Sequence, residues 1–154
     1  MRIRPVLQND FEDLHKLVCQ VHSLHVENRP DVYADIDLMI GYDFDSLLCD
    51  DNAKAFVAED NGRCVGVCSI TILPPPKSPL LKSRTVAHIE KLCVDANYRK
   101  QGIGNKLLQE AEIWAKEKGA DSLELIVWAF NRDALTFYKN AGMKERSFVM
   151  EQKL

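Results

Sequence analysis

Apolar residues recur at helical spacing near the start of the chain. The run "NDFEDLHKLVCQVHSLHV" predicts a first helix behind an Asn9/Asp10 cap. One face of this helix carries Phe11, Leu14, Leu17, Val18, Val21 and Leu24. Before it, "RIRPV" predicts a short strand. Pro30 disfavours helical geometry at Arg29, so we expect the helix to end there and a second, shorter helix to lie within residues 36–49.

The middle of the chain changes to runs that are typical of strands. "AKAFVAE" and "RCVGVCSITIL" flank a turn at Asn61-Gly62, a combination that predicts an antiparallel hairpin. The proline-rich "PPPKSP" at 74–79 is too short for an interdomain linker and predicts a rigid connection. It leads into a longer strand, "TVAHIEKLCV".

The last third alternates between helical and strand patterns. "NKLLQEAEIWAKEKG" predicts a helix closed by Gly119, and "RDALTFYKNAG" predicts one ended by Gly142. "SLELIVW" predicts a strand between them, and "SFVMEQKL" a final strand. An antiparallel meander followed by a βαβ crossover makes the fold class α/β, with a mixed sheet and helices on its faces.

Composition restricts the class of protein further. A chain of 154 residues is the size of one domain, so we expect a single domain over 1–154. No stretch approaches the roughly 18 apolar residues of a membrane span, and "MRIRPVLQND" lacks the apolar core of a signal peptide. We therefore expect a soluble, cytoplasmic protein. The net charge of −3 argues against a basic nucleic-acid surface.

The cysteines predict structural thiols. Five is an odd number, and most occupy apolar-patterned positions, as reduced cysteines do in cytosolic proteins. Cys64 and Cys68 would share one face of a regular strand, but no second Cys/His pair stands at a suitable distance for a zinc site. No metal site is predicted.

The most informative segment is the turn "YRKQGIGN" at 98–105, where a predicted strand leads into a helix. The first amides of a helix have no intrahelical acceptor and attract anions. Gly102 and Gly104 lack a Cβ that would obstruct a phosphate, and Arg99 and Lys100 add positive charge. The turn lacks the third glycine of a dinucleotide fingerprint and the Gly-Lys-Ser/Thr of an ATP-binding loop, so another phosphate-bearing ligand is expected.

Two motifs in order carry a family resemblance. Arg99-x-x-Gly102-x-Gly104 is followed by "N-x-x-A-x-x-x-Y-x-x-x-G" at 131–142. Together with the strands between and before them, they make the chain resemble the GCN5-related N-acetyltransferase (GNAT) superfamily over nearly its whole length. The resemblance implies a mostly antiparallel central sheet with one splayed parallel strand pair and helices on both faces. It also implies acetyl-CoA as co-substrate.

The resemblance assigns the cofactor contacts residue by residue. The pyrophosphate would be held by Arg99, Lys100, Gln101, Gly102, Ile103, Gly104 and Asn105. Backbone groups of Leu92, Cys93 and Val94 would pair with the pantetheine arm as a sheet edge pairs with an added strand. Asn131 would contact the arm from the next loop.

Amide formation also needs an acid for the leaving thiolate and a base for the amine. Tyr138 falls on the family's tyrosine position, where a phenol at the start of a helix protonates the sulfur. Glu90 and His88 are the two candidate bases, and regular alternation would place both on the face lining the slot. Cys93 would then oppose them, which argues against an acyl-enzyme.

The acceptor amine is left open. In similar proteins the first helix and loop, here "VHSLHVENRPDVY", wall the acceptor pocket, although a solvated helix end fits the same residues: His22, His25, Glu27, Arg29, Asp31 and Tyr33. Trp128 either flanks the slot or packs in the core. We expect an N-acetyltransferase acting by direct transfer on a small-molecule or protein amine. The alternative is a non-catalytic acyl-CoA-binding or sensing module. Relatives are frequently homodimers, but no motif requires it here.

Overall fold

The structure, a computed structural model, describes residues 1–36, 38 and 44–154. Five strands are present in this part of the chain: β1 (Arg2–Pro5), β2 (Ala53–Asp60), β3 (Arg63–Leu73), β4 (Val86–Val94) and β5 (Ser122–Glu124). Four helices accompany them: α1 (Phe11–Asn28), α2 (Phe44–Cys49), α3 (Ile103–Glu117) and α4 (Arg132–Asn140). The predicted second helix is confirmed as α2, and part of the segment assigned to it lies outside the described residues.

The strands form one sheet in the order β1-β2-β3-β4-β5. The first four strands pair antiparallel, and the Asn61-Gly62 hairpin between β2 and β3 is confirmed. Only β4 and β5 are parallel, with α3 as the crossover between them. The predicted mixed sheet with one parallel pair is confirmed.

The parallel pair separates soon after it forms. β5 pairs with β4 only from Val86↔Ser122 to His88↔Glu124, whereas β4 continues to Val94. The strand predicted over 122–128 therefore ends at Glu124, and residues 125–128 diverge from β4. This divergence leaves the β5-facing edge of β4 open beyond His88, because no described strand pairs with it there.

Helices cover both faces of the sheet. On the α3 face, buried side chains of α3 such as Leu107 pack against Phe56, Ala58, Cys68, Ile70, Ala87 and Ile89. On the α1 face, Leu14 and Leu17 of α1 pack against Ala55, Val57, Cys64, Val67 and Cys93. Each fully buried leucine contributes about 1.5–3 kcal/mol relative to an exposed one, so the helices are held on the sheet by their apolar stripes.

Two β-bulges, one in β3 and one in β4, reverse the face assignments that regular alternation predicts; the bulge in β4 lies in the candidate site. On β3, Glu59 pairs with Cys64 and Ala58 with Gly66, so Val65 is the extra residue. Cys64 consequently packs on the α1 face and Cys68 on the α3 face. The expectation that these two cysteines share one face is wrong, because a bulge shifts the alternation by one residue.

The predicted final strand is also wrong. Residues 144–154 form no strand, and Phe148, Val149 and Met150 are 77%, 96% and 89% exposed. Among the described residues, no backbone ladder includes this segment. Side-chain ion pairs attach it to the rest of the molecule: Glu145 with Lys139, Arg146 with Glu124 and Glu151 with Arg29.

Within residues 1–36, 38 and 44–154, no helix combines the length and the apolar character needed to cross a membrane. The same part of the chain contains no group of three or more His, Cys, Asp or Glu side chains placed to hold a metal ion. Cys64, Cys68 and Cys93 are buried thiols. Burial raises the pKa of each: to about 12 for Cys64 and Cys68, and to about 11 for Cys93.

Candidate active site and cofactor cleft

A cleft of about 360 Å³ opens where β4 and the segment after β5 diverge. One wall is the open stretch of β4 from Ile89 to Cys93, and the opposite wall is residues 125–128. α1 closes one side, and α4 contributes Ala134 and Tyr138 on the other. The separation of the parallel pair therefore creates a slot with an unpaired strand edge along it, which is suited to an extended ligand.

Gly102 marks the start of α3 beside this slot. Its φ of 78° is a left-handed conformation that favours glycine. The first helical hydrogen bond runs from Lys106 N to Gly102 O, so the amides of residues 103–105 have no intrahelical acceptor. A Cβ on Gly102 would meet no atom within 4 Å. The helix start that the sequence predicted is thus present, with its first amides open to solvent, and anion binding there stays a prediction.

Gly104 has a packing role in addition to the one the sequence suggested. A Cβ built on it would lie 3.1 Å from Cε2 and 3.2 Å from Cζ of Phe137. The absence of a side chain here lets the first turn of α3 approach α4. Close helix packing, as well as room for a phosphate, therefore requires this glycine.

The predicted cations lie beside the helix start. Arg99 and Lys100 are exposed, as are Gln101 and Asn105. Arg99 also donates from Nε to the Val94 carbonyl at 3.1 Å, which fixes part of its side chain against the end of β4. Its remaining guanidinium N–H groups can bind an anion.

The pantetheine contacts assigned by resemblance lie on or next to the open edge. Leu92 and Cys93 line the cleft, whereas Val94 stands at its end and is not among the lining residues. Asn131 lines the cleft and caps α4, with its Oδ1 accepting from Ala134 N at 3.1 Å. Its side-chain NH₂ is the group that can donate to a ligand.

Tyr138 lines the same cleft, two residues before the end of α4 and not at its start. Burial raises the pKa of this phenol above its ordinary value, with a smaller contribution from the nearby Cys68 and Cys93. The hydroxyl is therefore protonated at neutral pH. Tyr138 can act as a hydrogen-bond and proton donor inside the cleft.

Glu90 and His88 are separated by the second bulge. Ser69 pairs with Lys91 and Ile70 with Ile89, so Glu90 is the extra residue of β4. Glu90 is exposed and lines the cleft. His88 lies between Ala87 and Ile89, which both face α3, so it points to the α1 face and is not among the lining residues. Of the two candidate bases, the geometry favours Glu90.

The same bulge corrects the position of Cys93. Regular alternation placed it opposite His88, but after the shift at Glu90 it packs on the α1 face, as His88 does, and lines the cleft. Its thiol is buried, and burial raises its pKa to about 11. A protonated thiol is a poor nucleophile, so Cys93 is unsuited to form an acyl-enzyme despite its location.

An aromatic wall closes the α1 side of the cleft. Tyr33 stacks on His25, with ring centroids 4.8 Å apart, and accepts a 2.6 Å hydrogen bond from Trp128 Nε1. Phe130 stacks on Trp128 at 6.1 Å. His22, His25, Tyr33 and Trp128, all suggested by the sequence, line the cleft, whereas Glu27, Arg29 and Asp31 do not.

Two features of this wall were not predicted. Phe130 gave no periodic signal because it lies in a turn, and the Tyr33–Trp128 contact joins residues 95 positions apart. Burial lowers the pKa of His25, with the neighbouring His22 contributing in the same direction. His25 is therefore largely neutral at physiological pH.

Comparison with known proteins identifies the family. The Acetyltransferase (GNAT) family matches residues 13–143. An aminoalkylphosphonate N-acetyltransferase of Salmonella typhimurium is 30% identical over 152 residues, covering 99% of this chain and 90% of the relative. An uncharacterised N-acetyltransferase of Methanocaldococcus jannaschii is 34% identical over 108 residues, which are 69% of this chain and 46% of that protein.

A solved structure extends the likeness to the whole fold. A mutant of the BH1408 protein from Bacillus halodurans superposes with a TM-score of 0.94 at 28% identity, covering 100% of this chain and 99% of the other. The chain therefore belongs to the GNAT family of acetyltransferases. The predictions of the family, of the fold class and of an acetyltransferase are confirmed.

Proposed function

We propose that the protein is an acetyl-CoA-dependent N-acetyltransferase that transfers the acetyl group directly to a primary amine in a ternary complex. The observation that carries this proposal is the cleft itself. It combines an open edge of β4, an anion-binding start of α3 and the protonated phenol of Tyr138. Family membership supports the same chemistry.

The residues around the cleft fit acetyl-CoA. The amides of Ile103, Gly104 and Asn105, with Arg99 and Lys100 beside them, suit a pyrophosphate. The open edge at Leu92 and Cys93, with the Asn131 amide opposite, suits the amide groups of a pantetheine arm. When bound, acetyl-CoA supplies the thioester carbon that the amine attacks.

Two side chains have complementary roles in the transfer. As the new C–N bond forms and the C–S bond breaks, the amine loses a proton and the departing sulfur gains one. Glu90, exposed in the cleft at the bulge of β4, accepts the amine's proton directly or through water. Tyr138 donates to the sulfur.

The state of Cys93 supports direct transfer over an acyl-enzyme. Among the described residues that line the cleft, Cys93 is the only cysteine, and its raised pKa of about 11 keeps it as a thiol. An acyl-enzyme would need a thiolate there. The acetyl group therefore passes to the amine without a covalent intermediate on the chain.

A small-molecule amine is the favoured acceptor class. The cleft has a volume of about 360 Å³, and α1 and the aromatic side chains wall it on one side, dimensions that suit a small amine. The Salmonella typhimurium relative, whose name gives an aminoalkylphosphonate as its substrate, aligns with 99% of this chain. A protein amine remains the alternative acceptor.

The experiment that tests this function measures release of CoA thiol from acetyl-CoA, with mass spectrometry of the product. The panel contains small amines, aminoalkylphosphonates, amino acids, aminoglycosides and short peptides, and acetyl-CoA binding is followed by calorimetry. We expect turnover with at least one small-molecule class. Tight acetyl-CoA binding with no turnover on any class would instead favour a non-catalytic acyl-CoA-binding or sensing module.

A further inference from the structure

The hydrogen bond between Trp128 and Tyr33 fixes which atom donates. An indole N–H has no lone pair to accept with, so Trp128 Nε1 must donate and Tyr33 Oη must accept over their 2.6 Å separation. The Tyr33 hydroxyl proton cannot point back along that bond. It has to find another acceptor, because a partly buried phenol is normally hydrogen-bonded in full.

The described residues offer that proton no partner. Trp128 is the only hydrogen-bond partner of the Tyr33 side chain within residues 1–36, 38 and 44–154. His25 stacks face to face on the phenol ring at an interplanar angle of 14°, so its ring nitrogens lie beside the ring and not in front of the hydroxyl. His22 has its centroid 6.1 Å away, and its Nε2 is within 2.9 Å of the Ala34 carbonyl.

Tyr33 lies in the acceptor half of the cleft. It is held by α1 through His25, and α1 packs on the opposite face of the sheet from α3, whose first turn forms the cofactor site. Tyr33 and Tyr138 both line the cleft, one from the loop after α1 and the other from α4. The Tyr33 proton, which bonds to none of the described residues, can therefore be donated to an amine substrate on the α1 side of the cleft.

Trp128 keeps this donor in place. Its ring is packed between Phe130, 6.1 Å away, and the guanidinium of Arg29, 4.8 Å from the ring centroid. Arg29 is in turn bound to Asp31 and Glu151. Because these contacts hold the indole, its N–H occupies one side of the Tyr33 oxygen, and the phenol proton is directed to another side before a substrate binds.

We infer that Tyr33 determines acceptor specificity, its hydroxyl donating a hydrogen bond to an oxygen on the amine substrate. The favoured acceptors are small primary amines that carry a hydroxyl, carboxylate or phosphonate oxygen, and plain alkylamines are poorer. This inference rests on the proposed N-acetyltransferase activity. Tyr33 would bind the oxygen-bearing end of the acceptor, whereas Glu90 accepts the proton from its amine end.

The test compares matched acceptors that differ only in the oxygen-bearing group. Propylamine is the plain amine, and 2-aminoethanol, β-alanine and 2-aminoethylphosphonate are the three oxygen-bearing arms, which distinguish hydroxyl, carboxylate and phosphonate. For the preferred oxygen-bearing amine, Tyr33→Phe should lower kcat/KM about tenfold, the loss expected for one hydrogen bond. Most of this loss should come from a higher KM. Propylamine kinetics and the acetyl-CoA dissociation constant should change less than about twofold, as expected when no hydrogen bond to them is lost.

Two further variants separate recognition from structure. Trp128→Phe removes the indole donor, so it should lower kcat/KM for the same oxygen-bearing amine and affect propylamine less. Ser78→Ala, the loss of a side-chain hydroxyl in the loop before β4 and outside the cleft lining, is the control and should change kinetics with neither kind of acceptor. Calorimetric binding of the same four amines to the CoA-loaded protein gives a readout that needs no turnover.

The outcomes distinguish this inference from the proposed function. The specificity role would be overturned if Tyr33→Phe lowered kcat/KM equally for all four amines, or for none of them. It would also be overturned if the wild type bound propylamine as tightly as every oxygen-bearing amine. A different outcome would separate the two proposals. If the wild type binds oxygen-bearing amines more tightly than propylamine, loses this preference in Tyr33→Phe and shows no turnover, the recognition role is upheld and the transfer chemistry is overturned.

Discussion

Gly104 in the first turn of α3 and Phe137 in α4 are packed so closely that a Cβ on Gly104 would lie 3.1 Å from the Phe137 ring. Phe137 neighbours Tyr138, and their rings meet edge to face at 5.1 Å. The start of α3, the proposed cofactor site, and the candidate acid are therefore joined through one contact. A change in that contact should therefore alter both acetyl-CoA binding and the catalytic rate.

Gly104→Ala should demonstrate this coupling. The added methyl group forces the Phe137 ring to move, at a cost of about 1–3 kcal/mol for an overpacked contact. We expect weaker acetyl-CoA binding together with lower kcat. Adding Phe137→Leu should restore part of both, because the smaller side chain makes room. Losses that simply add in the double variant would show that the two positions are independent.

Gly102→Asp should abolish acetyl-CoA binding measured by calorimetry. It places a carboxylate beside the amides that suit the pyrophosphate, and it requires a side chain at a φ of 78°. Gly119→Asp is the matched control, because Gly119 follows the other end of α3 with a φ of 73° and equally open surroundings. Both variants should lose similar stability, and unimpaired binding by Gly102→Asp would refute the assignment of the turn.

Glu90→Gln should lower kcat by about 10²-fold, the lower end of the usual effect of a general base. The deficit should shrink as pH rises towards the pKa of the acceptor amine, near 10, because the amine then loses its proton without help. His88→Gln, outside the cleft lining, should stay within about threefold of wild type, well short of the loss of a base. A large loss in His88→Gln alone, measured across pH 6–9, would transfer the role of base to His88.

The ion pair between Arg4 and Asp10 should make the free energy of unfolding depend on pH. Arg4 lowers the pKa of Asp10 through a hydrogen bond, and both side chains are largely buried, 13% and 9% exposed. Because the folded pKa lies below the unfolded value near 3.9, the stabilisation is present above about pH 4 and is lost as pH falls through the folded value. The unfolding free energy of the wild type should fall more steeply below pH 4 than that of Asp10→Asn.

The same pair gives a prediction at neutral pH. Arg4→Met leaves the Asp10 carboxylate without its cation, which should cost about 3 kcal/mol in urea unfolding, as for other broken buried pairs. The exposed pair of Lys16 with Asp13 provides a comparison, since Lys16→Met should cost less than about 1 kcal/mol. Equal costs for the two variants would mean that burial of the Arg4 pair contributes nothing.

Much of the fold could be predicted because it depends on local patterns. The helical periodicity of α1 and α3, the Asn61-Gly62 hairpin and the glycine turn before α3 are all encoded within short segments. The element order and the family motifs then suggested the parallel pair and a helix carrying Tyr138, although Tyr138 lies near the end of that helix and not at its start. These features need no knowledge of which strand register the chain adopts.

What could not be predicted depends on contacts between distant segments. The bulges at Val65 and Glu90 follow from pairing registers with neighbouring strands, and they moved Cys64 and Cys93 relative to the faces expected for them. The segment at 147–154, with Phe148, Val149 and Met150, has the local pattern of a strand, but none of the described strands pairs with it. The hydrogen bond between Tyr33 and Trp128 joins two loops, which carry no periodicity to reveal it.

The most direct test of the central claim is a paired measurement on Tyr138→Phe, using the best acceptor from the amine panel. This change removes one hydroxyl from the cleft and keeps the ring that packs against Phe137. We predict that the acetyl-CoA dissociation constant stays within about twofold while kcat falls by about 10² or more, because only the proton for the sulfur is lost. Unchanged kcat in Tyr138→Phe would contradict the account.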